Sequence, residues 1–335
     1  MARFIIRRLL GALLVLGVVS VITFGVFMWV PTVTGDPNVY ARLYAGKVAN
    51  ESQVKAIAAK LGYDKPLPEQ YLAYMGGLFT GREFSSGTQT AECPAPCLGY
   101  SFPRHANVTD LIAKKFWVTF SVCIGAAVIW LVLGISVGVL SALKRGSVAD
   151  RAAMGFALAG VSLPTFFIGN LLLLIFSYTL GWIPNVHFVP FTENPALWAR
   201  NLILPWLTIA LITAALYARM MRANMLETMS EDYIRTARAK GLRRRQVVVR
   251  HGMRAALTPI VTIFGLDLGL LLGGAIITET VFNLPGLGRL AFDAIAGKDL
   301  PVIMGTTLFA AVFIVMANVV VDVLYSVVDP RVRLS

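Results

Sequence analysis

The sequence predicts an all-α integral membrane protein with six membrane-spanning helices, and three observations carry that reading. Of its 335 residues 57% are hydrophobic and 14% charged, with a mean hydropathy of +0.71, against roughly 45–50% apolar and 25% charged in soluble domains. Six apolar runs each approach the roughly 20 residues a helix needs to cross about 30 Å of hydrocarbon. The basic residues crowd into alternate connections between those runs, as short cytoplasmic loops do. A formal charge of +12 could suggest nucleic acid as partner. Its carriers, however, lie in short segments between apolar runs, with no folded basic domain, so they read as orientation signals.

The first run, Leu9 to Val30, follows Arg3, Arg7 and Arg8. A secretory signal would have an apolar region of about 7–15 residues and a small-residue cleavage site, whereas Trp29-Val30-Pro31 follows here. Residues 1–30 therefore read as an uncleaved helix. Residues 31–115 read as an extracytoplasmic subdomain, with nine basic residues nearly balanced by seven acidic ones from Pro31 to Lys115. Within it Gln53–Leu61 has helical character, Gly62, Pro66 and Pro68 end that helix, and Glu69–Phe79 carries aromatics at helical spacing. Cys93 and Cys97 share a short proline-containing loop. An oxidising compartment favours a disulfide there, with unpaired thiols or a metal ligand pair as the alternatives; Cys123 sits in an apolar run.

The remaining spans fall at Val118–Leu143, Met154–Leu180, Leu202–Met221, Ile260–Phe282 and Val302–Val328, forming a core over 116–330. Pro164, Pro205 and Pro259 are sites where these helices can kink or stop. Six spans starting inside place Lys144, Arg145 and Arg151 in the cytoplasm. Ten basic residues from Arg219 to Arg254 follow, and then Arg331 and Arg333. The short outer loops hold only Arg200, Arg289 and Lys298. Both termini are expected in the cytoplasm.

The loop 222–259 contains the one long polar segment, Ser230 to Pro259. Ser230 is placed to cap a short helix, Glu231 and Asp232 suit its first turn, Arg238 and Lys240 its last, and Gly241 supplies the stop. From Glu231 to Lys240 the helix reaches only about 15 Å, too short to span a bilayer. The run Asp232-Tyr233-Ile234-Arg235-Thr236-Ala237-Arg238-Ala239-Lys240-Gly241 resembles the cytoplasmic "EAA" loop of ABC importer permeases. Arg235, Thr236 and Ala237 take the places of Glu, Ala and Ala. His251, Arg254, Leu257 and Pro259 match the His-x-x-Arg-x-x-Leu-x-Pro pattern of the dipeptide, oligopeptide and nickel branch. Leu61 to Pro66 with Gln70-Tyr71, the run Gly273 to Gly288, and Asn318, Asp322, Tyr325 and Asp329-Pro330-Arg331 are similar to the same branch.

The resemblance implies a type I ABC importer permease fold and an inner-membrane subunit that translocates di- or oligopeptides. It also implies four sets of partners: a substrate-binding protein, two ATPase subunits that hold ATP and Mg, a second permease usually supplied by a paralogue, and the bilayer itself. Docking to the ATPase would fall to Tyr233, Arg235, Thr236, Ala237, Arg238, Ala239, Lys240 and Gly241. No cofactor is implied on this chain.

Asp267, Glu279 and Asp322 lie in or beside apolar spans, where a carboxylate at mid-depth costs about 2.5–3.5 kcal/mol. They line a path for a zwitterionic peptide or else bond between helices, Asn318 being one partner. Gly265, Gly269, Gly273 and Gly274 leave room beside Asp267 for water or solute. No G-x-x-x-x-G-K-[ST] loop occurs, so ATP is expected on another chain. No H-E-x-x-H or nucleophile elbow occurs either, and His105, His187 and His251 are scattered, which assigns no catalytic or metal-binding residue. The alternative is an ion-coupled carrier or channel without an ATPase, for which inverted repeats would be the signature.

Overall fold

Apolar side chains in so hydrophobic a chain go either to lipid or to helix seams. The structure, a computed structural model that describes residues 2–45, 50–86, 89–183 and 186–328, separates the two. α1 (Ala2–Thr34) is one long helix whose leucines and valines remain exposed, Leu13 and Leu14 among them. Such a surface would be a liability in water but is neutral against acyl chains, which are as apolar as leucine. Among the described residues α1 leans mainly on the last helix of the chain and on the subdomain that follows it.

That subdomain contains α2 (Val39–Ala45), α3 (Glu51–Leu61) and α4 (Leu67–Thr80). Asn50 starts α3 with a reciprocal pair of bonds: its Oδ1 accepts from Gln53 N at 2.9 Å and its own N–H donates to Gln53 Oε1 at 3.1 Å. Beyond the two expected helices are two small antiparallel pairs, β1 (Arg82–Ser86) with β2 (Gln89–Cys93), and β3 (Tyr100–Ser101) with β4 (Ala106–Asn107). Cys93 and Cys97 are joined as a disulfide immediately after β2. Ser101 Oγ donates to the buried Asp299 carboxylate at 2.5 Å, with Arg104 3.6 Å away, which fastens this subdomain to the last helix.

The centre of the bundle is the seam between α5 (Val108–Leu143) and α8 (Pro195–Thr228). At Gly125, Gly134 and Gly138 an added Cβ would lie 2.0 Å from the Trp206 ring, 2.6 Å from Tyr217 Cβ and 2.6 Å from Met221 Cβ. The missing side chains are what let the two helices approach so closely. Trp130 is fully buried in the seam, and Trp206 Nε1 donates to Ser121 O at 2.9 Å.

Among the described residues four helices are long and apolar enough to cross a membrane alone, and the count reaches six when each of two bent pairs is one span. The third span is therefore not the continuous helix expected over Met154–Leu180. α6 (Val148–Ser162) and α7 (Thr165–Leu172) meet at 104° around Pro164, and a π-helical turn, Leu173–Thr179, follows. Proline lacks the N–H and pushes its predecessor, Leu163, into extended geometry, ψ 133°. In the fifth span α10 (Arg244–Gln246), a π-helical turn (Val247–Gly252) and α11 (Met253–Ala256) join α12 (Thr258–Leu272) at 48°, with Pro259 in the first turn of α12. The expected continuation to Phe282 breaks at Gly274, φ +139°, and α13 (Ile276–Val281) is separate. Pro205, by contrast, stays inside α8. α14 (Leu287–Ala296) and α15 (Leu300–Val328) complete the chain, and α15 packs along α12.

Candidate functional site

The polar loop forms α9 (Asp232–Ala239) between α8 and α10. Ser230 does not cap it. Only three residues separate α8 from α9, and Ser230 closes the end of α8 by donating to Glu227 O at 2.6 Å. The N-cap position belongs to Glu231, whose side chain makes no capping bond. At the other end the expected stop is fully built. Gly241 N donates to Arg238 O at 3.0 Å and Leu242 N to Ala237 O at 3.4 Å, with Gly241 at φ +78°, the paired bonds of a Schellman motif.

The helix has two faces. Ile234, fully buried, and Ala237 turn inward onto Val247 and Met229. Tyr233, Arg235, Thr236, Arg238, Ala239, Lys240 and Gly241 are exposed. Seven of the eight expected docking residues are thus presented outward, while Ala237 is spent on holding the helix to its own chain. The Arg235–Asp232 pair at 3.3 Å is almost wholly in water and contributes little. Behind α9 a hollow of about 490 Å³ is lined by Leu143, Met225, Leu226, Arg238, Leu242 and Arg244, so the helix stands on a narrow footing.

Next to this footing is a cluster that residue order does not reveal. The buried Asp150 carboxylate accepts Arg222 Nε and Nη2 at 2.7 and 2.8 Å, Gly146 N at 2.9 Å, and the Ser141 hydroxyl. The Arg222 guanidinium and these other donors satisfy both oxygens of the carboxylate. In the charge pattern Arg222 is one of ten loop cations. In the fold it bolts α8 to the α5–α6 turn.

Among the polar residues in apolar spans, Asp267 Oδ2 accepts from Tyr217 OH at 2.8 Å. Both line an open recess of about 460 Å³ with Leu216, Arg219, Met220 and Ile263. The room expected from the neighbouring glycines is already taken. A Cβ on Gly269 or Gly273 would lie 2.7 or 3.2 Å from Ala317 or Ala310 of α15, and one on Gly274 2.8 Å from Gly288. These glycines serve helix packing, and the recess opens on the Tyr217 side instead.

Glu279 is fully buried. It accepts from Thr119 Oγ1 at 2.5 Å and Arg289 N at 2.9 Å, while Thr119 Oγ1 itself accepts from Leu287 N at 2.8 Å. The carboxylate sits at the start of α14, where a helix terminus favours an anion. Glu279 is a bundle contact. Asn318 is half-buried on α15; the side chain of Asp322, its expected partner, lies outside the described residues, as do Asp329, Pro330 and Arg331.

A helical bundle with two spans broken at prolines and a short, glycine-stopped helix held out from the loop between them has the build of a transporter permease. Residues 134–334 match the model of the binding-protein-dependent transport system inner membrane component, and residues 1–123 match that of the N-terminal part of such membrane components. The chain belongs to this family. It is 40% identical over 333 residues, 99% of each chain, to a putative peptide transport system permease protein of Brucella abortus (strain 2308). Over the same 333 residues, again 99% of each chain, it is 38% identical to the glutathione transport system permease protein GsiC of Escherichia coli (strain K12). Among solved structures, the MetNI methionine ABC transporter in an inward-facing conformation superposes with a TM-score of 0.53 at 19% identity. That match covers 66% of this chain and 97% of the other, and it supports the fold. The chain is a permease subunit of an ABC importer and not an enzyme; the ATPase of such systems is a separate subunit.

Proposed function

We propose that this permease carries short peptides, glutathione-sized tripeptides included, across the inner membrane from a substrate-binding protein. In this reading the exposed face of α9 docks on ATPase subunits that bind ATP and Mg, and a paralogous permease completes the pore. The observation that carries it is the exposed, glycine-stopped α9 in a chain 40% identical along its length to a permease named for peptide transport. Residues 1–30 act as the anchoring helix, 31–115 face the binding protein and 116–330 form the core. Asp267, positioned by Tyr217 beside Arg219, is the path residue that meets the charged ends of a peptide.

The test is uptake of a labelled tripeptide into proteoliposomes holding the complete complex. Uptake is expected to require ATP, and Asp267→Asn to leave the complex assembled while changing rate or charge preference. Uptake driven by an ion gradient alone would establish the carrier alternative. The orientation predicts that a cysteine placed at Tyr71 reacts with an impermeant thiol reagent in intact cells and one at Arg244 does so only after lysis. The reverse pattern would invert the topology.

A further inference from the structure

Where the extracytoplasmic subdomain meets the bundle there is a cavity of about 220 Å³ that the transport reading does not use. We propose that it binds the phosphate of a phospholipid headgroup. Its lower wall is apolar and comes from helices long enough to cross a membrane: Phe24 and Met28 near the end of α1, and Met304 in the first turns of α15. Its upper wall carries Tyr74 of α4 and Arg82 and Phe84 of β1. The cavity therefore straddles the level at which hydrocarbon gives way to headgroups.

Two groups on the upper wall lack a hydrogen-bond partner among the described residues. Arg82 stacks its guanidinium 5.1 Å from the Phe84 ring centroid and has no carboxylate partner among the described residues. Its stem lies across α4 at Gly77, where an added Cβ would sit 2.2 Å from Arg82 Cδ, so the absence of a side chain there is what fixes the arginine. Burial pulls its proton affinity down, the mark of a cation removed from water without an anion beside it. Within its electrostatic reach the Tyr74 hydroxyl is buried and has no hydrogen-bond partner among the described residues. One oxyanion satisfies both, because a phosphate offers several acceptor sites and arginine prefers it.

The apolar floor then selects the source. Phe24 and Met304 are buried within it, and it is made by the ends of two helices long enough to cross a membrane, so the anion that reaches the cavity is one held at the bilayer surface. The size selects against cargo, since roughly 300–1,000 Å³ is usual for a drug-sized ligand. A bound lipid would join α1 and α15 to the subdomain. This inference does not depend on which solute the permease carries.

Full-length protein reconstituted in phosphatidylglycerol nanodiscs, released into detergent and weighed by native mass spectrometry should retain one phospholipid. Arg82→Gln should weaken that retention about tenfold or more, the worth of a charged hydrogen bond. Tyr74→Phe, which removes only a hydroxyl, should weaken it several-fold and keeps the test open should Arg82→Gln misfold. A wild-type chain that retains no lipid, or variants that retain as much as wild type, overturns the proposal. So does delipidated protein that binds millimolar inorganic phosphate but not phosphatidylglycerol, which would assign the pocket to a soluble anion.

Discussion

Glu279→Ala is expected to remove most of the folded protein from the membrane. The carboxylate is fully buried where four segments meet: its own helix α13, the Gly286 turn, the start of α14, and α5 through Thr119. Truncation leaves the Thr119 hydroxyl and the Gly288 and Arg289 N–H groups without their acceptor. Each orphaned buried donor costs about 1–3 kcal/mol, and two or three together consume a large part of the 5–15 kcal/mol that typically separates folded from unfolded chains. Glu279→Gln keeps one acceptor oxygen but turns an amide N–H₂ toward other donors, so it should fall between. Gly286→Ala tests the same junction from the other side, because its Cβ would lie 2.3 Å from Glu279 Oε1. The expected order of monodisperse yield on gel filtration is wild type, Glu279→Gln, then Glu279→Ala. Equal yields for wild type and Glu279→Ala would show that the junction is not what holds α13 and α14 to α5.

What the sequence made legible were features whose signal is local. The apolar runs announce four continuous candidate crossings, and six when each bent pair counts as one, because length and hydropathy are read within one window, and Gly241 announces the end of α9 because only its own φ is at stake. Pro164, Pro205 and Pro259 carry the same local signal, yet the helices bend at Pro164 and beside Pro259 while Pro205 lies inside an unbroken helix. Packing from α5 decides between kink and continuation there, and no window contains it. Ser230 failed as a cap for a related reason: the nearer claim on its hydroxyl was the end of α8.

The pairs that organise the polar interior join distant parts of the chain. Arg222 is 72 residues from Asp150, Thr119 160 from Glu279, and Ser101 198 from Asp299. Composition counted these groups without revealing that they had partners. The glycines beside Asp267 mislead in the same way: an absent side chain reads as empty space until the helix that fills it is placed.

Gly241→Val is expected to leave the permease folded and to uncouple it. No atom lies within 4 Å of where a Cβ would stand on Gly241, so the substitution meets no clash. Its whole effect comes from φ +78°, a conformation that costs a non-glycine residue roughly 1–2 kcal/mol and a β-branched one more. Since the Schellman bonds to Arg238 and Ala237 depend on that turn, about 1–2 kcal/mol shifts the helix stop by a factor of about 5–30. The loss falls on the outward face formed by Tyr233, Arg235, Thr236 and Arg238, because the buried residues that hold α9 inward are Ile234 and Ala237. The α5–α8 seam is untouched, and the yield of purified permease should match wild type. Co-purification of the ATPase and ATP-driven uptake should both drop. Asparagine tolerates the left-handed region better than other side chains, so the expected order of uptake is Gly241, Gly241→Asn, Gly241→Ala, Gly241→Val. An equally inactive Gly241→Asn would mean that strain is not the cause. A Gly241→Val permease that binds its ATPase and imports normally would show that the exposed face of α9 is not where the two subunits meet.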